Sequence, residues 1–473
     1  MNGQVQEPRF HPIPTLISWG IVILSLGFGL LAHMVFSPLM RVEHPERALL
    51  LIINRELELR DAVKARPSWE QRFFEIYDGI SNEEDTNRQL IQWQEELAVF
   101  SKEPTAHIHL AILEGEIGRL EDLRQRLAGW EKEGGGLLSL FRILVGAAYL
   151  DTPFPFPFGN RRWVQPLIHE LLPPGELRSR LLNRLEEREI LSGPPEEKDP
   201  PERGGRIGRI WFMTVVDLFL TACFLWAFWR ILRGRSQAWR SGTALIPPPW
   251  SGWTSLTVLV RGAAIACLIS FLGFFIPVDQ YPGGELVFYT LFYFPLLLLP
   301  FRYLLKPHGL NFTQTFGLTL PKGGVRRLLI VTFAGMGFEL IGNIALDIGA
   351  NFAEAGYHWG ESFDADLVWG STAYVAAGMA ANVLMAPFFE EFIFRGLLFG
   401  TLRRRFSWVP TAIISAGVFS ILHGYGILGF STVFLSGVVW AWTYEKSGSL
   451  LPGMFAHAVN NLFYSLGLLL LLR

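Results

Sequence analysis

Cysteine is nearly missing from this 473-residue chain: only Cys223 and Cys267 occur, both inside apolar runs. That excludes a disulfide framework and a cysteine-based zinc site. Charge is scarce as well. Lys, Arg, Asp and Glu make up 18% of the residues and nearly cancel, leaving a formal net charge of -2. No whole-molecule field would attract nucleic acid, which is therefore not an expected partner. Several catalytic signatures are also missing. There is no His-Glu-x-x-His for a helix-borne zinc hydrolase and no Gly-x-Ser-x-Gly nucleophile elbow. The Gly-x-Ser-Gly of rhomboid-type serine enzymes and the Gly-x-Gly-Asp of presenilin-type aspartyl enzymes are absent too.

What fills the chain is apolar surface. Half of the residues are hydrophobic, with 38 Phe and 16 Trp, too apolar for an ordinary soluble protein of this length. Stretches long enough to cross a hydrocarbon core of roughly 30 Å lie near residues 15–37, 209–232, 255–277, 285–305, 326–349, 367–389, 408–424, 427–444 and 450–472. The expected fold is therefore all-α: a polytopic membrane helix bundle of about nine spans with an N-terminal helical extramembrane domain. The first span reads as an uncleaved anchor, because its apolar run exceeds a signal-peptide h-region and no small-x-small cleavage site follows.

Three regions follow: residues 1–40, a tail and first anchor; 41–208, a helical extramembrane segment; and 209–473, the membrane domain. Basic clusters set the orientation. Arg230, Arg233, Arg235 and Arg240, then Arg302, Lys306, Lys322, Arg326 and Arg327, then Arg403, Arg404 and Arg405 all fall on one side, taken as cytoplasmic. The opposite loops, residues 278–285 and the segment with Glu354, Glu361, Asp364 and Asp366, carry no Lys or Arg. The N-terminus is then cytoplasmic, residues 41–208 lie outside, and the expected location is the cell membrane. In that outer segment, Ala106 to Leu123 resembles one helix-turn-helix unit of a tetratricopeptide-like repeat, a shape suited to a protein partner. His107 and His109, two apart, sit on different helix faces and read as packing or surface residues, not a metal pair. Residues 192–205, rich in Pro, Glu and Gly, read as a solvated linker.

The chemistry concentrates in the last four spans. Glu390 and Glu391 stand side by side in the apolar run Ala386 to Gly396. Two carboxylates in a bilayer cost several kcal/mol and repel each other, so they belong in a protein interior with a function. Glu391 and Arg395 are four apart with the acid first, the favourable order for an ion pair, whereas Glu390 points about 100° away and stays free. The bland alternative is that both acids sit at a helix end and pair with Arg403 to Arg405. Pro387, just before them, removes a backbone donor and should loosen the helix. His423 closes an apolar helix, where a lone histidine is often structural. His457 and Asn461, four apart, project from one stripe of the final helix and call for a shared polar partner. Asn460 points elsewhere and reads as a packing residue.

Taken in order, Glu390-Glu391-x-x-x-Arg395, Phe419-x-x-x-His423 and His457-x-x-x-Asn461 resemble the motifs of the CPBP family of intramembrane proteases, which groups CAAX prenyl endopeptidases with bacteriocin-processing and immunity proteins. The resemblance covers roughly residues 365–470, the expected catalytic core, and includes Ser436 to Pro452. It implies an intramembrane endopeptidase acting on a membrane-associated peptide or protein; a prenylated CAAX protein is the family's best-known substrate, and members with an added outer domain are open to others. Glu390 and His423 would activate a water, His457 and Asn461 would stabilise the oxyanion, and Arg395 would hold Glu391. The family has been described both as zinc-dependent and as metal-free. The metal-free form is expected here, with no cofactor, because asparagine is a poor zinc ligand. Two other classes remain: an inactive scaffold or bacteriocin-immunity protein whose outer segment binds partners, and a proton-coupled transporter whose path would add Glu339, Asn343 and Asp347.

Overall fold

The protein is described here by a computed structural model covering residues 8–77, 83–101, 103–133, 136–155, 161–191, 203–233, 242–276, 280–281, 283–320, 324–353 and 356–473. Among the described residues there is helix and no strand. The chain divides into two compact units: Met1–Arg41 with Met213–Leu471, and Val42–Phe212. Arg235, Arg240, Lys322 and Glu354, used above for orientation, lie outside the described residues, as do linker residues 192–202.

The Val42–Phe212 unit is built of short amphipathic helices. Proline at the first turn opens Pro45–Lys64 and Pro104–Ile117, where its missing N–H costs nothing. Pro104–Ile117 ends at Gly118, whose left-handed φ of 83° is open to glycine, and Leu120–Glu133 returns as a helical hairpin. Gly115 lets the next helix approach, since a Cβ there would sit 2.5 Å from the Tyr149 ring. Buried Leu110, Ile112, Phe141 and Leu181 form part of the core. A polar network ties its rim: Glu116 accepts from Tyr149 Oη (3.0 Å), Arg180 (3.0 Å) and Arg184 (3.1 Å), and Arg180 also reaches Asp61 at 2.6 Å. His109 is buried, and burial lowers its pKa to about 4, so it packs as a neutral ring.

Among the described residues, the membrane unit holds nine principal helices: α1 (Pro12–Val35), α2 (Arg203–Arg233, whose first turns belong to the other unit), α3 (Gly252–Gly273), α4 (Gly284–Pro300), α5 (Gly324–Phe352), α6 (Thr372–Leu402), α7 (Trp408–His423), α8 (Ile427–Ser447) and α9 (Leu451–Leu471). Eight of them supply a stretch long and apolar enough to cross a membrane, α4 only together with the π and 3-10 turns that continue it to His308. The exception is α7, where the expected span resolves into 16 residues, rising about 24 Å against a core of roughly 30 Å. The span expected at 367–389 is also shifted. Ala365–Trp369 is a separate short helix, and α6 runs through the glutamates to Leu402. It continues because Glu390, Glu391 and Arg395 find partners inside the bundle and do not have to end at water.

Small residues set the tightest contacts. α5 lies against α8 and α9, and α7 against α8. On α5, a Cβ at Gly335 would come within 2.9 Å of Thr443, and one at Gly342 would overlap Leu435, both on α8. The apolar core surrounds the α6 motif, with Phe316, Phe392, Phe399, Phe419 and Trp440 fully or almost fully buried.

Candidate active site

Local backbone chemistry shapes the helix that carries the acids. α6 contains two π-helical stretches, Ala381–Met385 and Glu391–Phe399, on either side of the turn that holds Pro387. Ala386 N–H bonds back to Ala381 O, five residues earlier. In that register the Asn382 carbonyl would take its proton from residue 387, which is proline and has none. The side chain of Asn461 on α9 supplies it: Nδ2 donates to Asn382 O at 2.7 Å. The loosening expected at Pro387 thus takes the form of a π register closed by a neighbouring helix.

Glu391 and Arg395 pair as their spacing predicts. Arg395 Nη1 lies 2.9 Å from Glu391 Oε1, with both side chains about 1% exposed. The contact is an ion pair by distance without an aligned hydrogen bond, since no guanidinium nitrogen has an aligned partner among the described residues. Aromatic faces support the cation instead: Arg395 Cζ is 4.3 Å from the Phe419 ring centre and 5.0 Å from that of Trp440. Two glycines make room. A Cβ at Gly437 would press within 3.2 Å of Arg395 Nη2, and one at Gly453 within 3.1 Å of Glu391 Oε2. Pairing of the acids with the Arg403 to Arg405 cluster is not seen. Arg403 forms a two-point ion pair with Glu445 (2.9 and 3.0 Å), and Arg404 donates to the Pro248 carbonyl.

His457 joins the two acids. Its Nδ1 is 3.3 Å from Glu391 Oε1 and its Nε2 is 3.7 Å from Glu390 Oε2. The ring stacks on Trp440 at 4.3 Å and 21°. His457 and Asn461 therefore leave one stripe of α9 for different partners, the acids and the Asn382 carbonyl, and do not share one. Glu390 is not free, as its direction on the helix had suggested. Besides His457, it accepts a hydrogen bond from Tyr293 Oη at 3.2 Å. Its side chain is 14% exposed against 1% for Glu391, so it is the more open of the two carboxylates. His423 interacts electrostatically with Glu390, His457 and Arg395. Its Nδ1 sits 2.8 Å from the Phe419 carbonyl. A carbonyl only accepts, so Nδ1 carries the proton, and in a neutral ring Nε2 would be the basic nitrogen.

Three further residues at this site were given no role from the sequence. Tyr293 is 97 positions from Glu390 and stacks flat on Phe389 (4.8 Å, 9°); nothing local marks it. Phe419 and Trp440 lay inside quoted motifs, but their role as the walls around Arg395 and His457 depends on tertiary packing. Among the described residues no group of three His, Cys, Asp or Glu side chains is arranged to hold a metal ion, and the Arg395 cation already occupies one face of Glu391.

These features define a class: a helical membrane protein, multi-pass by its spans, with a buried cluster of carboxylates, histidines and an arginine in its C-terminal bundle. Comparison with protein families is specific about that part. Residues 372–463 match the model for Type II CAAX prenyl endopeptidase Rce1-like proteins, which supports a CPBP/CAAX protease assignment for that stretch. No curated protein and no solved structure matches the chain.

Proposed function

We propose that this protein is an intramembrane endopeptidase of the CAAX-protease type, residing in the cell membrane and hydrolysing membrane-associated, prenylated substrates. The observation that carries the reading is the clustering of Glu390, Glu391, Arg395, His423 and His457 from three helices around one partly exposed carboxylate. Glu390, with His423 Nε2, takes a proton from a water that attacks the scissile carbonyl. The oxyanion that forms draws on His457 and on the second N–H of Asn461 Nδ2, whose first N–H is fixed on Asn382. The proton then passes to the leaving amine as the tetrahedral intermediate collapses. Arg395 holds Glu391, and Glu391 orients His457.

This sequence of steps needs no metal. The support is chemical: Arg395 competes for Glu391, and the Asn461 amide is committed to the backbone. Comparative proteomics of cells carrying the native chain or Glu390→Gln tests the reading. Membrane peptides whose cleavage disappears with Glu390→Gln and with His423→Ala would support it. Peptide profiles unchanged by both substitutions would contradict it and favour the scaffold class.

A further inference from the structure

A third buried carboxylate lies beside the site and takes no part in the steps above. Glu339 on α5 is 3% exposed. It lies between Gly335 and Gly342, the two positions where α5 presses closest on α8, and the spacing 335, 339, 342 puts all three on one helical face. The carboxyl is therefore inserted into a helix contact and does not face lipid. Asn460 Nδ2, on α9, lies 3.4 Å from its Oε1. From α8, the Ser436 hydroxyl and the Trp440 indole face the same group, and the charges of Glu391 and Arg395 reach it. Glu339 Oε2 and Trp440 Nε1 are both buried without an aligned partner. Buried polar atoms of this kind are costly unless paired, and the Trp440 indole is directed at the Glu339 carboxyl group.

We infer that Glu339 is a positioning residue of the site: by accepting from the Trp440 indole and from Asn460, it fixes the ring on which His457 stacks. Trp440 lies 4.3 Å from the His457 ring and 5.0 Å from Arg395 Cζ. A turn of the indole would release both the imidazole that joins Glu390 to Glu391 and one wall of the guanidinium. The acceptor is needed and a negative charge is not, so glutamine should substitute where leucine does not. The catalytic consequence rests on the proposed reaction, whereas the geometric one does not.

The test separates the two. In full-length protein labelled with 15N-histidine, the His457 ring signals are assigned by their loss in His457→Gln. Glu339→Leu should move them and Glu339→Gln should leave them in place. Trp440→Phe, which keeps a ring and removes the N–H, should reproduce the Leu effect and add nothing to it in the double variant. In parallel, with a quenched farnesylated CAAX peptide in liposomes, Glu339→Leu should lower kcat on the order of tenfold, the size of one buried hydrogen bond, with KM within about twofold. His457 signals unmoved in Glu339→Leu, or moved equally by Gln, would overturn the inference. If Glu339→Leu does not fold, the Trp440 indole N–H in native protein and Glu339→Gln decides: protection of that N–H from hydrogen exchange in both supports it, and free exchange in both overturns it. Full cleavage by Glu390→Gln and His423→Ala, with His457 responding as expected, would instead refute the reaction and leave the positioning role standing.

Discussion

A buried ionic site is stable only if each of its charged groups has a counter-group, because breaking such a pair commonly costs about 3–5 kcal/mol. Here two adjacent carboxylates are distinguished by their neighbours. Glu391, fully enclosed, faces Arg395 and His457, while Glu390 keeps a partly open side and a neutral hydroxyl from Tyr293. The difference fits one acid for structure and the other for proton transfer. Tyr293→Phe removes the hydroxyl but keeps the ring stacked on Phe389. A net hydrogen bond of about 1 kcal/mol gives an expected drop in turnover of roughly fivefold with only a small loss of thermal stability, measured on the farnesylated peptide and by thermal unfolding of the same preparations.

At the scale of the helix, the π register of α6 connects Pro387 to Asn461. Asn461→Ala should lower turnover by roughly 100- to 1000-fold, the usual loss for one oxyanion donor, and should also destabilise the bundle by orphaning the Asn382 carbonyl. Pro387→Ala restores a backbone N–H at the position that carbonyl would use. In the double variant, unfolding temperature should recover while turnover does not; recovery of both, or of neither, would mean that Asn461 does not play these two parts. In the helical unit, His109 gives a pH dependence. Its pKa falls from 6.5 unfolded to about 4 folded, so the unfolded chain binds more protons and stability is lost as pH falls below about 6.5. At pH 5 the loss relative to pH 7 is roughly 2 kcal/mol. His109→Gln should flatten that part of the pH profile of this unit's unfolding.

At the scale of the whole molecule, the parts legible in the sequence were those with a local signal. Hydropathy marked the bundle, and the four-residue spacing of Glu391 and Arg395 marked their pairing. The order of the three motifs pointed to the family that residues 372–463 match. Positions set by distant contacts were not legible. The partner of Glu390 comes from α4, the donor to Asn382 from α9, and the extension of α6 to Leu402 depends on counter-groups from other helices. The short α7 was read as a span because its composition is apolar throughout, although its helix has only 16 residues. Orientation follows from charge: reporters fused near Lys306 or Arg405 should be cytoplasmic, and those near residue 100 or Asp364 external. A cytoplasmic signal at residue 100 would mean that α1 does not cross.

The central claim, that Glu390 and His423 activate water without a metal, is tested most directly by one measurement. Purified protein in liposomes, treated with a zinc chelator and matched for folded content, is assayed on the quenched farnesylated CAAX peptide beside Glu390→Gln and His423→Ala. The account predicts full activity for the treated native chain and none for either variant. Near-normal cleavage by both variants, or activity lost to the chelator and restored only by zinc, would contradict it.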